Sequence, residues 1–189
     1  METNKILIPD IVRGGINQTQ GRDKLGSYSV DYNIEAQDGW KPYRVSLEDL
    51  IRTKINNIPN MDKKISDKLA NSMLAIMKGE SKYDPLARRI NLDKTVDTGL
   101  FQINSSNATY LKNKYNLDDY DVNDYNSQIN YALATYANGG RNRWNFYKNN
   151  QKDYIKNMNN QSDLTEEESQ LARDIIHQNF TKGNQLSRV

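Results

Sequence analysis

Two carboxylates stand near the ends of one stretch, Gly79 to Ser105, which reads GESKYDPLARRINLDKTVDTGLFQINS. Glu80 follows an apolar run containing Leu74, Ile76 and Met77, and Phe101 or Trp144 are candidates to face it. Such a setting favours the neutral carboxyl, because burial penalises the charged form. Asp97 sits among Asn91, Asp93 and Thr98, a wetter setting that keeps a carboxylate charged. One protonated and one ionised carboxyl flanking a groove can break a glycosidic bond. The acid protonates the leaving oxygen, and the carboxylate supports the oxocarbenium-like transition state, attacks it or activates water. Taken singly, Glu80 also reads as a helix-end surface residue and Asp97 as a turn residue, since Asp-Thr-Gly is good turn chemistry.

The elements that must hold these groups follow from periodicity and caps. Asp62 caps a helix expected over 62–79, with Ile65, Leu69, Met73, Leu74, Ile76 and Met77 as a broad apolar stripe. A stripe that broad predicts a helix sunk in the core. Before it, Ser46 opens a helix whose Leu47, Leu50, Ile51, Lys54, Ile55 and Ile58 share one face, stopped by Pro59 and Asn60. Residues 81–98 read as a polar loop, and Gly99 to Ile103 as a short buried strand. Asn104-Ser105-Ser106 caps a helix over 106–115, and a helix over 124–137 ends at Asn138-Gly139-Gly140. Residues 148–163 read as a linker, and Thr165 with Glu168 forms a capping box for a last helix over 165–181.

ESKYDPLA followed by DTGLFQINS resembles the lysozyme-like superfamily, both its lytic transglycosylases and its animal-type lysozymes. The separation of the two carboxylates, 97 − 80 = 17 residues, is that of the lysozyme glutamate and aspartate. The resemblance covers about 62–147. It implies a mainly α, α+β lysozyme-like fold, a helical core with a small β region after the catalytic helix. It also implies Glu80 as catalytic acid and Asp97 as nucleophile or charge stabiliser. Ser81 matches a serine that orients the glutamate. Gln102 and Asn104 match groove residues that hydrogen-bond N-acetyl sugars, and Tyr136 and Trp144 match substrate-side aromatics. The order Asp124, Gln128-Ile129, Ala132, Gly139-Gly140, Trp144 looks like the ending of short transglycosylase domains. Gln128 stands where that pattern has Asn, and Tyr136-Ala137-Asn138 is a rearranged Ala-Tyr-Asn. The implied substrate is peptidoglycan glycan, cut at the β-1,4 bond between N-acetylmuramic acid and N-acetylglucosamine. A lytic transglycosylase is the first expectation and a hydrolytic muramidase the alternative, with no cofactor and no metal in either.

Composition narrows the rest. Of 189 residues, 36% are hydrophobic, with a mean hydropathy of −0.91, too little apolar material to bury the whole chain in one core. The expected organisation is an irregular N-terminal arm (1–45), a catalytic domain (46–148) and a linker with C-terminal amphipathic helix (149–189). Charge is balanced, 26 basic against 24 acidic residues, which argues against a nucleic-acid partner. There is no cysteine, so disulfides and Cys-based zinc sites are excluded. Asp118, Asp119, Asp121 and Asp124 lack the glycine and terminal glutamate of a calcium loop and read as a solvated acidic loop. His177 reads as a surface residue, and Arg141 and Arg143 as solvated charges or contacts to an anionic or sugar ligand. No run reaches a membrane span, and the N-terminus lacks the apolar core of a secretory signal. Polar flanks without a signal point to a tail-associated phage virion protein acting on the host wall, or a secretion-apparatus component, held by partner proteins. A purely structural, glycan-binding role on the same fold is the reading from another class.

Overall fold

The computed structural model describes residues 29–31 and 44–182. Within them run β1 (Ser29–Asp31), β2 (Arg44–Ser46), α1 (Leu47–Asn56), α2 (Lys63–Ser81), β3 (Arg88–Ile90), β4 (Val96–Thr98) and β5 (Ile103–Asn104). There follow α3 (Ser105–Tyr115), α4 (Tyr125–Ala137), a 3-10 turn (Gly140–Arg143), α5 (Asn145–Asn149), α6 (Gln151–Asn157) and α7 (Glu166–Thr181). The fold is mainly helical, with a small antiparallel sheet, order β3-β4-β5, placed after α2 as a lysozyme-like domain requires. β1 and β2 pair antiparallel, Val30 opposite Val45. The rest of the expected arm, 1–28 and 32–43, lies outside the described residues.

The helix starts are where local chemistry puts them. Asp62 accepts from the main-chain N–H groups of Lys64 and Ile65, and Asn104 from Ser106. Asp124 accepts from Asn126, and Thr165 and Glu168 close a reciprocal box. Each cap satisfies N–H groups that the first helical turn leaves without an acceptor. α2 is sunk in the core as its stripe predicts, with Leu69, Met73, Ile76 and Met77 at most 1% exposed.

α4 is buried on more than one side: Tyr125, Gln128, Ile129 and the whole run Tyr131 to Tyr136 are buried. Tyr131 and Thr135 tolerate this because they are bonded internally, Tyr131 Oη to the Asp118 carbonyl at 2.7 Å and Thr135 Oγ1 to the Tyr131 carbonyl at 2.8 Å. Gly99 to Gln102 is the tight connection between β4 and β5 rather than a strand. Its Leu100 and Phe101 are buried all the same, so apolarity there reports a buried turn. The β residues fall instead in the polar 88–98 stretch, paired as Arg88↔Thr98, Arg89↔Asp97 and Ile90↔Val96, and at Ile103–Asn104, which pairs with β4.

The 148–163 stretch is not a linker but holds the end of α5 and all of α6. Tyr154, 1% exposed, exchanges a hydrogen bond of 2.8 Å with Ser72 of α2 and donates to Asp163 at 3.0 Å. α7 then packs on α4 and α2, with Ile176 and Ala172 fully buried and Lys68 paired to Glu168 at 2.7 Å. The C-terminal helices therefore complete the same core that begins at Leu47.

Candidate active site

Glu80 lies in the last turn of α2, half-buried. The chain leaves the helix through Lys82 and Tyr83, at φ 54° and 67°, two successive non-glycine residues in the left-handed region. Strain of this kind persists only where the surroundings hold it. Glu80 Oε1 accepts the main-chain N–H of Phe146 at 3.0 Å. Burial raises the proton affinity of its carboxyl above the usual value and the nearby charge of Asp97 adds to this; the Phe146 N–H and the Arg89 guanidinium oppose it. The net direction is upward, towards the protonated form that a general acid needs.

Asp97 is on the central strand β4, half-buried, directly opposite Arg89 on β3 and Asn104 on β5. Residues directly opposite across antiparallel strands share a face of the sheet. Arg89, Asp97 and Asn104 are therefore one row, and the charges of two of them reach Glu80. Asn104 Nδ2 donates to Asp97 Oδ1 and to Thr95 Oγ1, both at 2.8 Å, while its own Oδ1 caps α3. One asparagine thus fixes the aspartate and starts the next helix.

The other expected site residues are engaged elsewhere. Ser81 is buried and donates to the Met77 carbonyl at 3.1 Å, a bond within its own helix. Gln102 takes a left-handed conformation, φ 47°, and its amide donates to the carbonyls of Ala87 at 3.1 Å and Gly99 at 2.9 Å. That is bracing of the hairpin, with the residue still half-exposed. Trp144 is 3% exposed, and its indole N–H donates to the Phe101 carbonyl at 3.0 Å. Tyr136 is fully buried, its hydroxyl 2.8 Å from Ser169 Oγ, and burial pushes its phenol up to about 12. The substrate contact expected of Trp144 and Tyr136 is corrected accordingly: one ties the hairpin to α5, the other ties α4 to α7. Arg141 is likewise a core ion pair, 2.6 Å from Asp163, and His177 Nδ1 lies 3.1 Å from the Tyr115 hydroxyl.

Sequence reasoning missed Phe146, Arg89 and Gln128. A main-chain donor carries no side-chain signal, and the Arg89 register appears only once β3 is paired. Gln128, fully buried, accepts from Leu100 N–H and donates to the carbonyls of Pro85 and Val122. Its departure from the motif asparagine was the available signal. A cavity of about 730 Å3 adjoins the site, walled by Leu74, Met77, Lys78, Phe146, Lys156 and Met158 and not by Glu80. Gly79 and Phe146 border both.

A mainly helical domain with a half-buried glutamate near the end of its central helix, within reach of the charge on a three-stranded sheet that carries an aspartate, is a lysozyme-like domain. Residues 53–175 match the phage tail lysozyme family, and the chain belongs to it. No curated protein and no solved structure matches the chain.

Proposed function

We propose that this protein is a tail-associated muramidase that cleaves the β-1,4 bond between N-acetylmuramic acid and N-acetylglucosamine in peptidoglycan. The observation that carries the reading is the unequal pair. Glu80 is half-buried with raised proton affinity, while Asp97 is anchored by Asn104 on the sheet opposite. Glu80 protonates the glycosidic oxygen and the bond to the anomeric carbon breaks. Asp97 stabilises the resulting positive charge or attacks it, and water, deprotonated by Glu80, completes hydrolysis. A binding-only protein would have no use for a glutamate whose burial raises its proton affinity beside an aspartate held in place by Asn104.

The competing product is the anhydro sugar of a lytic transglycosylase, in which the 6-hydroxyl of the muramic acid replaces water. Two features support hydrolysis: the charge of Asp97 reaches Glu80, and Tyr136 is bonded to Ser169 in the core instead of standing beside the glutamate. Mass spectrometry of digested cell walls is the test. Reducing ends are expected, and anhydro ends would assign the transglycosylase. Glu80→Gln is expected to abolish zymogram clearing, and clearing that persists would overturn the assignment of the acid.

A further inference from the structure

Gly79 sits inside α2, one residue before Glu80, although glycine costs a helix about 0.5–1 kcal/mol relative to alanine. The reason for it is a ring. A Cβ on Gly79 would lie 2.2 Å from Cδ1 and Cε1 of Phe146 and 2.4 Å from its Cγ. Cγ is fixed to the residue's own Cβ, so spinning the ring does not relieve the clash. The Phe146 ring therefore rests against the bare Cα of Gly79, and the same residue's N–H reaches back to Glu80 Oε1. That N–H is in the first turn of α5, where no helical carbonyl is available to it. Two residues earlier, Trp144 anchors the segment through the Phe101 carbonyl.

We propose that Gly79 and Phe146 form a positioning clamp that holds Glu80 with Oε1 occupied as an acceptor, so that Oε2 is the oxygen that carries the transferable proton. The proposal rests on Glu80 being the general acid. Neither residue touches substrate in this scheme, and both act through the carboxyl. The N–H has a second effect: it favours the carboxylate, opposing the burial that favours the acid. Loss of the clamp thus leaves Glu80 badly aimed and harder to deprotonate.

The test is Gly79→Ala, assayed on purified peptidoglycan with circular dichroism as the fold control. The ring must retreat from 2.2 Å to at least the 3.4 Å of ordinary contact, enough to stretch the 3.0 Å bond to Glu80. The expected result is a kcat lowered about 10- to 100-fold with little change in apparent KM, since misplacement by about 1 Å costs on that order. The basic limb of the pH–rate profile, where the acid loses its proton, is expected to move to higher pH. Phe146→Leu keeps the N–H but loosens the clamp, so it shifts the limb in the same direction by less. Combined with Gly79→Ala it makes room for the new methyl and recovers part of kcat. A folded Gly79→Ala with unchanged kcat, or with activity lowered but the limb unmoved in both single variants, overturns the proposal. Activity surviving Glu80→Gln would instead overturn the catalytic reading beneath it.

Discussion

Replacing Gln128 by leucine removes the single side chain that joins three segments around the site. Its Oε1 accepts from the Leu100 N–H at 2.6 Å, and its Nε2 donates to Pro85 O at 3.0 Å and Val122 O at 2.7 Å. The contact is so close that a Cβ on Gly99, at φ 79°, would lie 2.5 Å from Oε1. Leucine fills a similar volume but leaves three backbone groups without partners. Each such group costs about 1–3 kcal/mol, and burying leucine returns about 2 kcal/mol. The net loss, allowing for partial rehydration, is about 3–5 kcal/mol, a large part of the ~5–15 kcal/mol that holds a domain together. Urea unfolding followed by circular dichroism reads it as a midpoint lower by about 1–3 M at an unchanged slope. Gln128→Glu sharpens the test, because a carboxylate still accepts from Leu100 but cannot donate to the two carbonyls. Its deficit is expected to shrink at acidic pH, where a protonated carboxyl regains one donor. A loss below about 1 kcal/mol for Gln128→Leu would refute the idea that this residue organises the hairpin.

Glu80→Gln is expected to be more stable than the parent at neutral pH. The folded protein raises the proton affinity of Glu80, so the unfolded state ionises first as pH rises, and stability is lost through the folded-state titration. Comparing melting temperatures near pH 3 and pH 7 checks it: the advantage of Glu80→Gln should fade at the lower pH, where both states of the parent are protonated. Lys54, 5% exposed, has its ammonium pushed down from 10.5 to about 8, chiefly by burial and partly offset by Asp124. Its charged form is penalised in full below about pH 8, and the penalty fades as pH rises towards 10.5. The parent should gain on the order of 1–2 kcal/mol between pH 7 and 9.5 from this group, discounted for partial relaxation. Lys54→Met should lack that increment in urea unfolding at the two pH values.

How much of this was legible beforehand depends on whether the signal was local. Asp62, Asn104, Asp124 and Thr165 announce helix starts because a cap is a bond between residues two or three apart. The stripe from Ile65 to Met77 announces a core helix because its period is set by backbone geometry. Gly99 to Ile103 misled, since apolar residues report burial whether the backbone is strand or turn, and the deciding conformations are those of Gly99 and Gln102. The Asn- and Lys-rich 148–163 segment misled in the opposite sense: Tyr154 and Met158 suffice to anchor it, and composition averages over them.

For the site, sequence alone determined that Glu80 and Asp97 are the carboxylates to consider, because their types, neighbours and spacing travel with the chain. Only the tertiary structure decided what surrounds them. It set Asp97 in a row with Arg89 and Asn104, brought the Phe146 N–H to Glu80 from 66 residues away, and took Trp144 and Tyr136 out of the groove. The physical reason is that a carboxyl's acidity depends on desolvation and on charges within a few ångströms. Those neighbours are assembled by packing between distant segments, and no pattern within one segment encodes them.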